Sequence, residues 1–171
     1  YMDITGTGHQ VGSLPVYLDS IGVRADGDWS HWLPSRVLPY GQLNWSWHEW
    51  TDGSPVMAVA QARLDFGFGR EPMDFYRPHE LPAWFSVGGK PHPGDDLPIC
   101  LWRRKRDGAV LAVLANWADH PIMTRIHEKP LKGALGPCTM FDATTDVRFP
   151  YPFVISVPAN AFRVVRIEPS K

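Results

Sequence analysis

Residues 97–117, with the sequence LPICLWRRKRDGAVLAVLANW, decide the fold class of this protein. Two apolar runs, 97–102 and 109–117, flank a basic stretch that ends in Asp107 and Gly108. Asp-Gly between apolar runs predicts a β-hairpin with a type I′ turn, because both central residues of that turn need a positive φ. The second run lacks polar alternation, which indicates a strand buried on both faces. We interpret the basic residues 103–106 as the solvated end of this hairpin, and the alternative is a patch for an anionic ligand.

Further apolar segments follow the hairpin at intervals of roughly ten residues, the rhythm of a β-sandwich or barrel. Within segment 122–126, Ile and Thr alternate with Met and Arg, and segments 153–157 and 162–167 alternate in a similar way. Two sheets of this kind must pack face to face to bury their apolar sides. We therefore predict an all-β fold, an antiparallel β-sandwich with a loop-rich, Trp-rich N-terminal half.

The chain divides by composition into a Trp-rich, loop-rich β region at residues 1–96 and a sandwich layer at residues 97–171. Strands are predicted within 16–25 and 42–50. Segment 55–68 contains good helix formers, but its Val-rich ends and bracketing glycines favour a strand. Residues 71–98 contain six prolines, which predicts an extended connector over the surface.

Charge and hydropathy exclude two classes of partner. The net charge is −1, whereas a nucleic-acid-binding protein usually carries a strong basic excess. No apolar run approaches the ~20 residues that a membrane-spanning helix needs, so we expect no membrane partner. The start, Tyr1-Met2, lacks the features of a signal peptide and is typical of a processed or trimmed chain, and we favour an extracellular or periplasmic location.

No cofactor or metal is expected from the motifs. None of the seven histidines lies in a metal-ligand spacing, and no phosphate-binding glycine loop or nucleophile elbow is present. The two cysteines, Cys100 and Cys138, fit no zinc pattern, and two free thiols are favoured over one disulfide bridge.

The densest signal is a cluster of tryptophans interleaved with polar residues between positions 29 and 50. Sugars are bound by flat aromatic faces together with side chains that hydrogen bond to hydroxyl groups, so the cluster indicates a carbohydrate-binding face. The alternative is that the indoles belong to the core of a Trp-rich sandwich. The predicted binding residues are Trp29, Trp32, Trp45, Trp47, Trp50, His48 and Glu49.

A pair of carboxylates near this cluster provides an enzymatic alternative. Glycoside hydrolysis needs one carboxyl group as acid and a second as nucleophile or base, and Glu49 with Asp28 or Asp52 could supply them. Acidic residues beside tryptophan are also common on ordinary surfaces. Our main expectation is that this chain holds no catalytic residue.

From Leu97 onward the chain resembles the C-terminal β-sandwich that follows the catalytic barrel in many glycoside hydrolases. The resemblance covers residues 97–168 and implies a non-catalytic domain that braces the barrel. A full barrel takes about 200 residues or more, so this chain does not contain one. The stretches that carry the resemblance are Asp107-Gly108, 114–119 (LANWAD), Leu135-Gly136, 141–145 (FDATT), 157–159 (VPA) and 162–167 (FRVVRI).

Three functions follow from these observations. The first is a non-catalytic β-sandwich region associated with a carbohydrate-active enzyme, whose partner is carbohydrate or the catalytic domain of a parent enzyme. The second is a small or fragmentary glycoside hydrolase that uses the Glu/Asp pair. The third is a structural or protein-interaction domain with an apolar surface along 71–98 that a partner covers.

Overall fold

The computed structural model describes residues 16–19, 35–36, 38–40, 43–46, 54–80, 85–87, 90–91, 96–127, 135–150 and 152–170. One α-helix of 13 residues lies in this part of the chain, α1, Ser54–Phe66. Two 3-10 turns are Leu38–Tyr40 and Pro78–Glu80. The strands are β1 Val16–Asp19, β2 Leu43–Ser46, β3 Met73–Tyr76, β4 Phe85–Val87, β5 Lys90–Pro91, β6 Ile99–Arg104, β7 Val110–Ala115, β8 Ile122–Ile126, β9 Cys138–Asp142, β10 Val154–Val157 and β11 Phe162–Pro169.

A five-stranded antiparallel sheet in the order β3-β6-β7-β11-β9 forms the middle of the protein. The hairpin predicted from residues 97–117 is confirmed as β6 and β7, with Ile99 opposite Leu114 and Arg103 opposite Val110. Every residue of β7 is buried, as its unbroken apolar sequence predicts.

The type I′ turn predicted for this hairpin is wrong. Of Asp107 and Gly108, only Gly108 has a positive φ, of 74°. The carboxylate of Asp107 accepts hydrogen bonds from Arg104 Nε (2.9 Å) and from the backbone N–H of Ala109 (3.1 Å). These bonds hold Asp107 in an ordinary conformation, so the connection is a longer loop closed by Gly108 N–H donating to Arg104 O at 2.8 Å.

A four-stranded antiparallel sheet, β10-β8-β4-β5, packs on one face of the five-stranded sheet. The core between the sheets takes alternate residues from each strand, as the alternation in 122–126 and 153–157 predicts. The all-β antiparallel sandwich is therefore confirmed. The buried residues of this inner core are Leu97, Ile99, Leu101, Val110, Ala112, Leu114, Ile126, Met140, Phe153, Ile155, Val157, Val165 and Ile167.

The other face of the five-stranded sheet carries a second core. Val59 and Phe66 from helix α1, together with Leu38, cover this outer face. Because neighbouring residues of a strand point to opposite faces, Leu111 and Val113 of β7 face the helix while Ala112 and Leu114 face the second sheet. The five-stranded sheet is thus the middle one of three layers.

The strand favoured for residues 55–68 is wrong, because this segment forms helix α1. Ser54 and Pro55 begin the helix, an order typical of helix starts. At its end, Gly67 has φ 108°, its N–H donates to Leu64 O (3.0 Å), and Phe68 N–H donates to Arg63 O (3.0 Å). This is a Schellman cap, so the glycine that appeared to bracket a strand terminates a helix.

The surface connector predicted for residues 71–98 is also wrong in the described parts of that segment. Strand β3 is an edge strand of the five-stranded sheet, with Met73 opposite Arg104. Strand β4 pairs with β8, and β5 pairs with β4. Pro72 precedes β3, and Pro91 ends β5, so these prolines limit the strands to a few residues without preventing them.

Strands β1 and β2 form a separate parallel pair, in which Val16 lies opposite Leu43 and Asp19 opposite Ser46. The strands expected within 16–25 and 42–50 are confirmed for these positions, and the remainder of both segments lies outside the described residues.

The strands within residues 97–171 are divided between the two antiparallel sheets. Strands that precede position 96 pair with them in both sheets, β3 with β6 in the five-stranded sheet and β4 with β8 in the four-stranded sheet. In the part of the chain that the structure describes, no helix is long and apolar enough to span a membrane.

Candidate functional site

The predicted carbohydrate-binding residues are described only at Trp45, whose backbone lies in β2 opposite Leu18. Trp29, Trp32, Trp47, His48, Glu49 and Trp50 lie outside the described residues, as do Asp28 and Asp52. The glycan-binding face and the carboxylate pair therefore stay predictions.

Trp102 is a core residue with only 7% of its surface exposed. Its ring packs against Phe75 at a centroid distance of 5.0 Å and meets Phe68 edge-on at 5.2 Å. Such offset and edge-to-face contacts are the preferred arrangements of aromatic rings. This indole links Phe75 of strand β3 to Phe68, which follows helix α1, and presents no ring face for a ligand.

Arg63 of helix α1 is buried beside Trp102, with 1% of its surface exposed. Its guanidinium lies 4.6 Å from the Trp102 ring and 5.6 Å from the Phe68 ring. Burial lowers the pKa of Arg63 to about 10. Arg63 thus remains a cation at neutral pH, and the aromatic faces stabilise it.

Unlike Trp102, which packs in the core, Trp117 forms hydrogen bonds that join the sandwich to Ser35 and Arg36. Its Nε1–H donates to Ser35 O at 2.8 Å, and its own carbonyl accepts a hydrogen bond from Arg36 Nη2 at 3.3 Å. The Arg36 guanidinium also lies over the Trp117 ring at 5.1 Å and donates to Asn160 Oδ1 at 3.3 Å. Burial lowers the pKa of Arg36.

Leu38 provides the third contact of this segment with the sandwich. It is fully buried in the outer core, and its carbonyl accepts a hydrogen bond from Cys100 Sγ at 3.4 Å. We call the contacts of Ser35, Arg36 and Leu38 with Trp117, Asn160 and Cys100 the 35–38 anchor. Sequence reasoning missed it, because its two sides lie between 62 and 124 positions apart in the chain.

Asn116 lies beside the anchor and is fully buried. Its Nδ2 donates to His120 O (2.8 Å) and Val157 O (3.0 Å), while its Oδ1 accepts from the N–H of Ala118 (2.8 Å). These bonds tie the end of β7 to β10 in the second sheet. In the stretch 114–119, Asn116 and Trp117 therefore act as structural residues at a corner of the sandwich.

Several carboxylates of the described residues form ion pairs with arginine or lysine of the same chain. Asp107 pairs with Arg104 at 2.8 Å, and this hydrogen bond is the largest cause that lowers the pKa of Asp107. Further ion pairs are Arg106–Glu71 (2.5 Å), Lys105–Asp74 (3.0 Å), Arg163–Asp142 (3.4 Å) and Arg166–Asp146 (2.6 Å). The lowered pKa makes Asp107 a poor general acid, because Arg104 favours its ionised form.

The basic stretch 103–106 has a structural role at the hairpin end. Lys105 and Arg106 keep more than half of their side-chain surface exposed, which confirms the prediction of a solvated end for these two residues. Arg104 differs, because its Nη1 donates to Phe66 O at 2.8 Å in the last turn of helix α1. A cation at a helix C-terminus stabilises the helix through its unpaired carbonyls.

Neither cysteine forms a disulfide bridge, which confirms the favoured expectation, although only Cys100 is fully buried. In the described ranges, no group of three His, Cys, Asp or Glu side chains is placed to hold a metal ion.

The fold and these contacts define a two-sheet antiparallel sandwich with one covering helix and an anchored N-terminal segment. No family model and no curated protein matches the sequence. Among solved structures, the protein is similar to a GH27 β-L-arabinopyranosidase from Geobacillus stearothermophilus, wild type, over 46% of this chain with 12% identity and a TM-score of 0.39. A variant of that enzyme in complex with arabinose is similar over 47% of this chain, with 11% identity and a TM-score of 0.39. The matches cover 18% and 19% of those chains, so this chain spans less than a fifth of the structures that it matches.

Proposed function

We propose that this chain is a non-catalytic β-sandwich region associated with a carbohydrate-active enzyme, and that it binds glycan through the Trp-rich segment 29–50. The observation that carries the proposal is the state of the sandwich carboxylates. Asp107 and Asp142 are each held by an arginine of the same chain, so neither of these two is a free acid for glycoside hydrolysis. The residue types that suit sugar binding are concentrated instead in 29–50.

The parallel pair β1–β2 supports the proposal that this chain has the catalytic domain of a parent enzyme as its partner. Parallel strands occur mostly in sheets that helices cover on both faces, and a sheet of two strands is marginal alone. The pair is a separate sheet that precedes a sandwich of two antiparallel sheets. This combination fits a region in which an α/β domain meets a β-sandwich.

Glycan binding is tested by tryptophan fluorescence of the purified chain during titration with a panel of soluble polysaccharides. We expect a saturable shift with at least one glycan, and a loss of about tenfold or more in affinity in Trp47→Ala, since stacking on one aromatic ring contributes on the order of 1–2 kcal/mol. Trp102→Phe is the matched control, because Trp102 lies in the core and its replacement keeps an aromatic ring there. The absence of a shift with every glycan would contradict the proposal.

The same panel separates the proposal from glycoside hydrolysis. We expect no release of reducing sugar by the wild-type chain. Hydrolysis that disappears in Glu49→Gln would instead favour the enzymatic alternative, in which Glu49 acts with Asp28 or Asp52.

A further inference from the structure

The hairpin end between β6 and β7 contains an Asp-Gly pair, Asp107–Gly108, whose main chain is open to a spontaneous rearrangement. The amide nitrogen of a glycine can attack Cγ of the aspartate before it, because glycine has no side chain to crowd the approach. A C–N bond forms, the hydroxyl of the carboxyl group leaves with the amide proton as water, and a succinimide ring results. Addition of water then breaks the bond between the ring nitrogen and the original main-chain carbonyl carbon. The product is isoaspartate, so the rearrangement needs no reactant other than water.

The fold requires the glycine of this pair. Gly108 has φ 74°, a conformation that residues with a side chain rarely adopt. A Cβ at this position would lie 3.2 Å from Leu135 Cδ2, which is closer than ordinary van der Waals contact. A larger residue at position 108 would therefore strain the loop, and the reactive pair is part of the architecture of the hairpin.

Arg104 holds both of the groups that would react. Its Nε donates to Asp107 Oδ1 at 2.9 Å, and its Nη2 donates to Asp107 Oδ2 at 2.8 Å. Its main-chain carbonyl accepts a hydrogen bond from Gly108 N–H at 2.8 Å. We propose that Asp107–Gly108 is a site of isoaspartate formation, and that Arg104 protects this site in the folded protein by engaging the carboxylate and the attacking nitrogen together.

Each contact opposes one requirement of the reaction. Ring closure proceeds from the protonated carboxyl group, since an ionised carboxylate has no hydroxyl to lose as water. The hydrogen bond from Arg104 is the largest cause that lowers the pKa of Asp107, so the carboxyl group stays ionised. The nitrogen of Gly108 must give up its bond to Arg104 O before it can turn towards Cγ. Arg106 Nη2 is a second cation near Oδ2, but at the longer distance of 3.6 Å.

The rearrangement would disturb more than the loop. Isoaspartate lengthens the main chain by one methylene group and moves the free carboxylate, so the paired bonds with Arg104 could not form as they do now. Arg104 Nη1 also donates to Phe66 O at 2.8 Å, in the last turn of helix α1. Arg104 therefore links the chemical state of Asp107 to the end of the helix that covers the outer core.

Incubation of the purified full chain at mildly acidic pH, folded or unfolded in urea, tests whether the fold protects the site. Peptide mapping by liquid chromatography and mass spectrometry separates the isoaspartyl peptide from the aspartyl peptide of equal mass. We expect isoaspartate to form at Asp107 about tenfold or more slowly in the folded chain, because the reaction must wait for the loop to open. Equal rates in the folded and unfolded chains would overturn the proposal.

Arg104→Gln tests the protecting residue. We expect isoaspartate to form at Asp107 about three- to tenfold faster than in wild type, the effect of losing a hydrogen bond to a charged group. The other Asp-Gly pairs of the sequence, Asp26–Gly27 and Asp52–Gly53, serve as internal references and should keep their wild-type rates. An unchanged rate at Asp107, or an equal rise at all of these pairs, would overturn the role of Arg104. Arg104→Lys keeps a cation without the two parallel bonds, and it provides the same comparison if Arg104→Gln does not fold.

Lys105→Gln is the matched control for the loss of a cation from the hairpin end. Lys105 is the neighbour of Arg104 in the chain, but its ammonium pairs with Asp74 at 3.0 Å. We expect Lys105→Gln to form isoaspartate at Asp107 at the wild-type rate. A rise as large as that in Arg104→Gln would show that the general positive charge of the loop is responsible, and it would contradict specific protection by Arg104.

Discussion

At the scale of single residues, Asn116 joins the two sheets through the hydrogen bonds of its side chain. An asparagine side chain offers two N–H donors and one acceptor oxygen, and the corner between β7 and β10 uses all of them. Glutamine carries the same amide group, but its side chain is longer by one methylene. A buried polar side chain with complete hydrogen bonding specifies one arrangement of the chain around it.

Replacement of Asn116 by alanine is expected to destabilise the protein by about 2–4 kcal/mol, because it leaves the carbonyls of Val157 and His120 and the N–H of Ala118 without this partner, and the bond to Val157 is buried. Urea unfolding followed by fluorescence measures this free energy. Ser156→Ala is the control, since Ser156 is exposed on β10 and its loss should change stability by less than about 0.5 kcal/mol. A cost below about 1 kcal/mol for Asn116→Ala would contradict this role.

Sequence reasoning identified the residues of this corner without identifying what they do. The stretch 114–119 contributed to the resemblance, yet the partners of Asn116 and Trp117 include Val157 and Ser35, which are distant in the chain. Trp102 and Trp117 show the same difficulty. One is sealed in the core and the other joins two segments, and no local pattern distinguishes them.

At the scale of elements, helix α1 shows why periodicity misled the analysis. Segment 54–66 has small apolar residues at alternate positions, as a strand would, and its buried helical face includes an arginine. Val59, Ala62, Arg63 and Phe66 form that face, and the polar residue among them obscures the helical period. The guanidinium of Arg63 is buried against Trp102, which lies 39 positions later in the chain, so a window of sequence around the helix does not contain this contact.

The cap of helix α1 leads to a prediction about two neighbouring glycines. A Cβ added at Gly67 would lie 2.7 Å from Glu71 Cγ, whereas a Cβ at Gly69 would meet nothing within 4 Å. Both glycines have a positive φ, so each substitution by alanine adds backbone strain of about 1 kcal/mol. We expect Gly67→Ala to lower stability by about 2 kcal/mol or more and Gly69→Ala by about 1 kcal/mol.

Thermal unfolding followed by far-ultraviolet circular dichroism compares these two variants. Equal melting temperatures for Gly67→Ala and Gly69→Ala would contradict the importance of the Schellman cap. The comparison is matched, because both glycines lie in the same turn region between α1 and β3.

At the scale of the whole molecule, strand β7 lies at the centre of the three layers. Its even-numbered residues belong to the core between the sheets, and its odd-numbered residues belong to the core under helix α1. The sequence of residues 109–117 already indicated burial on both faces. It could not indicate that one face is covered by a sheet and the other by a helix, because that depends on segments elsewhere in the chain.

Leucine-to-alanine substitutions on the two faces of β7 test the three-layer arrangement. Leu111 and Leu114 are both fully buried, so each substitution is expected to cost about 2–5 kcal/mol. Met123→Ala is the control, because Met123 is 54% exposed and its loss should cost less than about 0.5 kcal/mol. Chemical denaturation measures all three, and a small cost for Leu111→Ala alone would show that the helix does not seal the outer face.

The fold was more accessible to sequence reasoning than the candidate site. Alternation in short strands, such as β8 and β10, reports directly on which face is buried, and these predictions are confirmed. The site depends on contacts across the chain, such as that of Trp117 with Ser35, which no spacing encodes. The carbohydrate-binding role of Trp45 and its neighbours stays a prediction.

The central position of β7 also has a consequence for synthesis on the ribosome. Strand β6 precedes β7 closely and can pair with it at once, but β11, the partner on the other side, follows about 50 residues later. At usual rates of translation this delay is roughly 3–10 s. During that time a wholly apolar strand has one edge unpaired, which is the condition under which nascent chains associate with one another or recruit chaperones.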